Sequence, residues 1–183
     1  VDGIFVSNFV GKSAFASVNL IMPYLMGISA LGFMIGTGGS AFVSKTLGEG
    51  KKKLANQYFS MLVTIAAIGG FVLSVLSFIF MRRIVMAFGA AGDLIDYCTL
   101  YGRISCISLT AFMLQNVFQS FFVAAGKPQL GLKVIVAAGC TNIVLDALFI
   151  GVLHFGIAGA ALATMTSEFI GAIMDLCQER RGI

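Results

Sequence analysis

The stretch Leu54–Met81, LANQYFSMLVTIAAIGGFVLSVLSFIFM, lies between Lys53 and Arg82 and contains no charged residue. It exceeds the ~20 residues that an α-helix needs to cross the hydrocarbon core of a bilayer. A second charge-free stretch runs from Ser13 to Ser44. Over the whole chain 58% of residues are hydrophobic and 11% are charged, whereas roughly 25% are charged in an ordinary soluble domain. These patterns predict a protein that crosses a membrane several times.

Two further windows qualify as spans if an internal charge is accepted. Residues 97–126 contain Arg103, and residues 134–167 contain Asp146 and divide at Gly156. The sequence therefore predicts an all-α, polytopic bundle of six helices, at about residues 2–10, 18–44, 56–80, 95–124, 131–153 and 157–176. We expect the first helix to be truncated and residues 1–183 to be a fragment forming one domain, because the chain opens inside an element without an initiator Met or a leader.

Basic residues concentrate at one end of the predicted bundle. The loops after helices 2 and 4 and the tail hold most of them, at Lys45, Lys51, Lys52, Lys53, Lys127, Lys133, Arg180 and Arg181. Because short loops rich in Lys and Arg stay on the cytoplasmic side, this Lys-rich end is expected to face the cytoplasm. The net charge of +4 is spread over several loops rather than gathered on one face, so no nucleic-acid partner is predicted.

Asp146 interrupts an otherwise apolar run, Asn142-Ile-Val-Leu-Asp146-Ala-Leu-Phe-Ile150. An ionisable side chain inside a membrane span is costly, so it normally faces the bundle interior and marks a route for ions or substrate. Asp146 precedes the predicted turn near Phe155 by as many residues as Thr164 follows it. Both side chains are therefore expected at one depth, roughly 13 Å below the outer face.

Two further polar residues are expected at a similar depth. Asp2 lies about ten residues before the predicted turn around Lys12, hence roughly 15 Å deep at 1.5 Å per residue, and Asn142 lies one helical turn before Asp146 on the same face. The sequence thus predicts a cation or proton site near the middle of the membrane, formed by Asp2, Asn142, Asp146 and Thr164.

Such a group of oxygen atoms has two chemical uses. Two carboxylates in a low dielectric do not both stay ionised comfortably, so at least one should exchange a proton near neutral pH. Alternatively, carboxylate, amide and hydroxyl oxygens are the ligands that hard cations prefer, which would suit Na⁺. A simpler alternative is that Asp146 only hydrogen-bonds Asn142 or a neighbouring helix and holds the bundle together.

Other polar residues are candidates for lining a cavity, namely Tyr24, Gln115, Asn116, Gln119 and Glu168. The three amides could equally hold helices together, as such side chains do in membranes. No nucleophile elbow, His-Glu-x-x-His pair or P-loop is present, so the sequence predicts no enzyme and no cofactor. The dispersed cysteines and the single histidine, His154, predict no metal site other than the Na⁺ alternative.

Several stretches together resemble one transporter family. They are Asp2-Gly3-Ile4-Phe5-Val6, Gly36-Thr37-Gly38-Gly39-Ser40-Ala41 followed by Gly48-Glu49-Gly50, Ala124-Ala125-Gly126-Lys127-Pro128, Asn142-Ile143-Val144-Leu145-Asp146 and Gly159-Ala160-Ala161-Leu162-Ala163-Thr164. Their order and spacing resemble those of the multidrug and toxic compound extrusion (MATE) transporters, in the prokaryotic branch with DinF-like members. The resemblance implies the amino-terminal six-helix lobe of a twelve-helix transporter, with the carboxyl-terminal lobe as its partner.

In that branch an acid of helix 1 and an Asn, an Asp and a Thr of helices 5 and 6 form the cation site, and these positions fall on Asp2, Asn142, Asp146 and Thr164. The resemblance implies antiport of H⁺ or Na⁺ against small cationic, amphiphilic drugs across the cytoplasmic membrane of a prokaryote. One alternative is a flippase for lipid-linked oligosaccharides, which should have a basic cavity for a pyrophosphate. Another is a scaffold whose acids only pack. The coupling ion and the choice between a fragment and an oligomeric half-transporter stay open.

Overall fold

The computed structural model describes the backbone of residues 2–182 and the side chains of residues 6–178. The described backbone forms six α-helices and one π-helical segment, in the order α1 Asp2–Phe9, α2 Lys12–Gly48, α3 Lys52–Ala87, α4 Asp93–Ala124, α5 Pro128–Asp146, the π segment Ala147–Val152, and α6 Gly156–Gly182. Within that range five spans are long and apolar enough to cross a membrane, α5 and the π segment forming one of them. The predicted all-α, six-helix membrane fold is confirmed.

The helices are longer than the sequence predicted. Helix α2 has 37 residues and α3 has 36, so each is roughly 55 Å long at 1.5 Å per residue, well beyond the ~30 Å hydrocarbon core. The predicted starts at residues 18 and 56 were too late. The predicted bounds followed the apolar part of each charge-free stretch, whereas the helices also include flanking residues such as Lys12, Lys45 and Lys52, because Lys is a good helix former.

Helix α4 lies at the centre of the bundle and packs against α2, α3 and α6. Most of its apolar window is buried, whereas the windows of α2, α3 and the span formed by α5 and the π segment are mostly exposed. A central helix that is apolar nearly all round is expected to be enclosed by its neighbours. The exposed apolar faces of the outer helices are therefore available to lipid or to further protein, and α4 forms the centre of the buried core.

Two glycines of α2 allow a close approach to α4. A Cβ added at Gly32 would lie 2.9 Å from the carbonyl oxygen of Met113, and one added at Gly36 would lie 2.8 Å from the Oγ of Ser120. Small residues four apart let two helix backbones approach closely in membranes. The small-residue pair on α2 is therefore the contact surface for α4.

Helices α5 and α6 form a hairpin whose turn is at residues 153–155, as the sequence predicted. The last six residues before that turn, predicted as α-helix, form the π segment instead, with the amide of Leu153 donating to the carbonyl oxygen of Leu148 at 2.9 Å. His154 in the turn adopts a positive φ of 55°. The wide turn brings the carbonyl oxygen of Phe149 against α6, where a Cβ on Gly159 would lie 3.1 Å from it.

Candidate functional site

Asp146 is the last residue of α5, where the backbone changes from α- to π-helix, and its side chain is 0% exposed. Single π-helical turns within helices are frequently found at functional sites. A buried carboxylate is expensive unless it is paired or neutralised. The combination of complete burial with an irregular backbone at the same residue therefore makes Asp146 the centre of the candidate site.

Asn142 and Thr164 lie together beside this acid. The Nδ2 of Asn142 donates to the Oγ1 of Thr164 across the hairpin at 3.5 Å, and Asn142 stands one turn before Asp146 on α5. Both polar side chains are half-buried. The structure thus brings two of the four predicted cation-site residues, Asn142 and Thr164, into contact across α5 and α6, and it places Asp146 one turn along α5 from Asn142.

The side chain of Asp2, the fourth predicted residue, lies outside the described side chains. The helix that carries it, α1, contacts α5, the π segment and α6. Val6 on α1 is completely buried. Helix α1 is therefore placed against the hairpin that holds Asp146, and the contribution of Asp2 to the site stays a prediction.

A cavity of about 180 Å³ lies between α2, α4 and α6, and we call it the α2–α4–α6 cavity. Its walls are mostly apolar, formed by Met22, Leu25, Met26, Leu109 and Phe112. Its polar lining comes from Tyr101 and Ser105 on α4 and from Thr164 and Glu168 on α6. Among the described residues that line it, Glu168 alone has a formal charge, so the cavity is mostly apolar with one acidic side.

Thr164 belongs to both groups of residues. Its hydroxyl contacts Asn142 on one side, while the residue lines the α2–α4–α6 cavity together with Glu168. Because Glu168 follows Thr164 by one helical turn, their side chains lie on the same face of α6. The candidate cation site and the cavity are therefore neighbours through a single threonine.

Tyr24, predicted as a cavity residue, points toward α3. Its hydroxyl and the Oγ of Ser77 form a hydrogen bond of 2.7 Å, and its ring lies edge-on to Phe88 with 5.9 Å between centroids. Tyr24 does not line the α2–α4–α6 cavity. Its neighbours on α2 at positions 22, 25 and 26 do, because residues three and four apart share a helix face.

The three amide side chains of α4 take different places. The Nε2 of Gln119 donates to the carbonyl oxygen of Gly131 at 3.2 Å and joins α4 to α5. Gln115 is 8% exposed and lies against Gly171 of α6. Asn116 is half-buried between them. Gln119 also lines a second cavity of about 320 Å³ between α2 and α4, with Thr37 and Ser40.

Asp175 lies about a helix length from the hairpin turn, which predicts from the sequence a place at the cytoplasmic interface in contact with water; the predicted contact with water is wrong. The residue is 0% exposed, and both carboxylate oxygens lack a hydrogen bond to any residue in the described part of the chain. It follows Gly171 by one turn on α6, so it faces the same side of that helix as the contact with α4. The number of residues from the turn predicts the depth of Asp175 in the membrane but not the direction in which its side chain points.

Tyr101 and Ser105, which give the cavity half of its polar lining, were not predicted from the sequence. A signal was present, because the cavity-lining residues of α4, Tyr101, Ser105, Leu109 and Phe112, recur at intervals of three and four. Such spacing defines one helix face. From the sequence alone, this row of residues cannot be distinguished from a helix face that only packs against other helices. The positions of α2 and α6 beside it identify it as a cavity wall.

Three comparisons with known proteins agree with this geometry. The MatE family model matches residues 1–148. The multidrug export protein MepA of Staphylococcus haemolyticus is 28% identical over 178 residues, covering 94% of this chain and 39% of the relative. A solved structure described as the inward-facing conformation of a multidrug resistance MATE family transporter superposes with a TM-score of 0.91 at 27% identity, covering 97% of this chain and 40% of that one.

A second solved structure is that of a MOP superfamily transporter from Pyrococcus furiosus, with a TM-score of 0.88 and 28% identity, covering 95% of this chain and 38% of that chain. Its description states that the reverse polarity of its binding pocket suggests a different function. The chain thus spans about two fifths of the proteins that it matches. The six-helix bundle, the hairpin of α5 and α6 and the match over most of the chain lead to one conclusion: this chain belongs to the MatE family of transporters.

Proposed function

We propose that this chain is the cation-coupling lobe of an exporter that exchanges H⁺ or Na⁺ for cationic amphiphilic compounds across the cytoplasmic membrane of a prokaryote. The observation that carries the proposal is the burial of Asp146 beside Asn142 and Thr164. The relatives named as multidrug export proteins support the export function. The chain's coverage of those relatives supports a second lobe as its partner.

Coupling follows from the chemistry of a buried acid. Asp146 lies in a low dielectric, where an uncompensated negative charge is costly, so a proton or a Na⁺ ion at this carboxylate is strongly favoured. The amide oxygen of Asn142 and the hydroxyl of Thr164 supply further oxygen ligands of the kind that Na⁺ would use. Binding and release of that cation change the charge inside the lobe and can bias it between two conformations.

The flippase alternative is not favoured by the lining of the α2–α4–α6 cavity. A pyrophosphate headgroup requires cationic side chains, and the formal charge of this lining is that of Glu168. The description of the Pyrococcus furiosus transporter supports the use of pocket polarity to separate functions on this fold. An acidic, otherwise apolar cavity fits a cationic amphiphile.

The proposal is tested by efflux of a fluorescent lipophilic cation from vesicles that contain the complete transporter, under imposed Na⁺ or pH gradients. Wild type should respond to at least one gradient, and Asp146→Asn should respond to neither. Asp93→Asn is the matched control, because it removes the same charge from an exposed position at the start of α4. Gradient-driven efflux by Asp146→Asn at the wild-type rate would overturn the proposal.

A further inference from the structure

Ser105 holds a buried hydroxyl at the wall of the α2–α4–α6 cavity. The residue is 7% exposed, and its Oγ makes no hydrogen bond with any residue of the described side chains. The great majority of buried polar side-chain atoms have a hydrogen-bond partner, so each exception requires an explanation. A ligand in the cavity that Ser105 lines is the simplest partner for this hydroxyl.

Glu168 provides charge on the other side of the same cavity. It stands on α6 while Ser105 stands on α4, and both line the cavity. A carboxylate accepts hydrogen bonds only, and a hydroxyl can accept as well as donate. Two acceptors on facing helices suit a ligand group that carries a positive charge and several N–H donors.

The remaining walls favour an aliphatic or aromatic body next to that charge. Met22 and Met26 offer polarisable thioethers, which adapt to ligands of varied shape. Phe112 offers a ring that can attract a cation. The cavity measures about 180 Å³, below the roughly 300–1,000 Å³ typical of complete ligand pockets, so it has room for the head of an amphiphile and not for the whole molecule.

We propose that the α2–α4–α6 cavity binds the protonated amine head of the exported compound, with Glu168 as the counter-ion and Ser105 as a hydrogen-bond acceptor for one N–H. The proposal rests on the export function proposed above and names the residues that select its substrates. It separates two acids in one lobe, since Asp146 holds the coupling cation and Glu168 holds the substrate.

The position of Thr164 between the two acids gives this arrangement a consequence. A cation beside Asp146 and an ammonium group beside Glu168 are like charges in a medium of low dielectric, and they repel each other. Occupancy of one site therefore weakens occupancy of the other. Such competition is what an exchange of one cation for another requires.

The test measures binding to the purified complete transporter in nanodiscs, by scintillation proximity with two labelled probes. Octylammonium carries three N–H donors, and octyltrimethylammonium carries the same charge and tail without any. Ser105→Ala should weaken octylammonium roughly tenfold, the size expected for a hydrogen bond to a charged group, and leave octyltrimethylammonium unchanged. Glu168→Gln should weaken both probes by at least about tenfold, because the ion pair is lost for each.

Matched controls separate these effects from general damage. Glu49→Gln removes the same charge from an exposed side chain at the Lys-rich end, and Ser60→Ala removes a hydroxyl from an exposed position of α3. Both should bind the two probes as wild type does. Glu168→Asp keeps the charge on a shorter side chain and should retain more binding than Glu168→Gln, which a purely structural role would not produce.

The outcomes distinguish this inference from the function on which it rests. Wild-type binding of both probes by Glu168→Gln would overturn the role of Glu168, and equal weakening of the two probes by Ser105→Ala would overturn that of Ser105. Asp146→Asn should bind octylammonium at least as tightly as wild type when no gradient is present. If Asp146→Asn proved fully coupled while Glu168→Gln lost binding, the coupling site would be wrong and the amine site would stand.

Discussion

Asp146 and Asp175 are both 0% exposed, yet they occupy different surroundings on the two arms of one hairpin. Asp146 ends α5 at the π segment, beside Asn142 and Thr164. Asp175 lies in regular α-helix, one turn after Gly171 on the side of α6 that faces α4. The neighbouring Gln178 has a buried Oε1 without a hydrogen bond to the residues described. We therefore expect the polar groups around an acid, and not its burial alone, to define a cation site.

The largest expected effect is a difference in efflux between variants of the two buried acids. Asp146→Asn in the complete transporter should reduce gradient-driven efflux at least roughly 100-fold, a change of about 2.7 kcal/mol at 1.36 kcal/mol per factor of ten, because it removes the carboxylate proposed to exchange the coupling cation. Asp175→Asn should keep efflux within about threefold of wild type, a change of under about 1 kcal/mol. Vesicle efflux assays at equal protein levels measure both. Equal losses in the two variants would show that the surroundings do not decide the role of a buried acid.

A second expected effect concerns the backbone near each acid. Gly159→Ala should lower stability by about 1–3 kcal/mol, because its Cβ would press on the backbone of Phe149 at 3.1–3.2 Å and overpacking has that cost. Gly171→Ala, near Asp175, should cost less, since its nearest neighbour is the amide end of Gln115, which can rotate. Thermal unfolding of the purified proteins compares them. A larger cost at Gly171 would mean that the Asp175 half is the more rigid one.

A third expected effect tests the role of the Thr164 hydroxyl in the surroundings of Asp146. Thr164→Val keeps the shape and removes the hydroxyl, and it should weaken the response of efflux to the coupling cation roughly five- to tenfold, the size expected for loss of one ordinary hydrogen bond. Thr141→Val is the control, because the Oγ1 of Thr141 donates to the carbonyl oxygen of Ala137 on its own helix. Dose–response curves against Na⁺ and pH measure the shift. A change with Thr141→Val and none with Thr164→Val would contradict the predicted ligand set.

The smallest expected effect is on the stability of the other half. Asp175→Leu replaces a buried acid by an apolar side chain of similar reach and removes two polar atoms that make no hydrogen bond to the described residues. Leaving such a group buried costs about 1–3 kcal/mol, so we expect a stabilisation at the lower end of that range. The melting temperature in detergent gives the sign. A clear loss of stability would mean that Asp175 has a partner beyond the side chains of residues 6–178.

The fold was largely predictable because a membrane imposes simple requirements on a sequence. The charge-free stretches on either side of Lys45–Lys53 predicted the first two long spans, and Gly156 predicted the division between α5 and α6. The grouping of Asn142 with Thr164 was predicted in two steps, from the equal distance of Asp146 and Thr164 to the turn and from the position of Asn142 one helical turn before Asp146. These inferences need only helix rise and the cost of charge in lipid.

Features that depend on which helices meet could not be predicted. Depth counting said nothing about rotation, so Asp175 was expected in water although it faces α4. The direction of Tyr24 toward Ser77 depends on where α3 lies. The π segment Ala147–Val152 has a sequence, ALFIGV, that an α-helix would accept equally well. The cavity between α2, α4 and α6 required three helices to be placed at once.

The π segment has a consequence for how this hairpin tolerates change in length. A π turn closes over five residues where an α turn closes over four, so removing one residue from 147–152 could restore an unbroken α-helix. The residues before and after the deletion would keep nearly their present rotation about the helix axis, because the π turn already accommodates one residue more than an α turn does. Removing one residue from regular α-helix instead rotates every side chain before it by about 100°. The π segment is therefore the part of this hairpin in which loss of one residue should leave Asn142 and Asp146 facing Thr164.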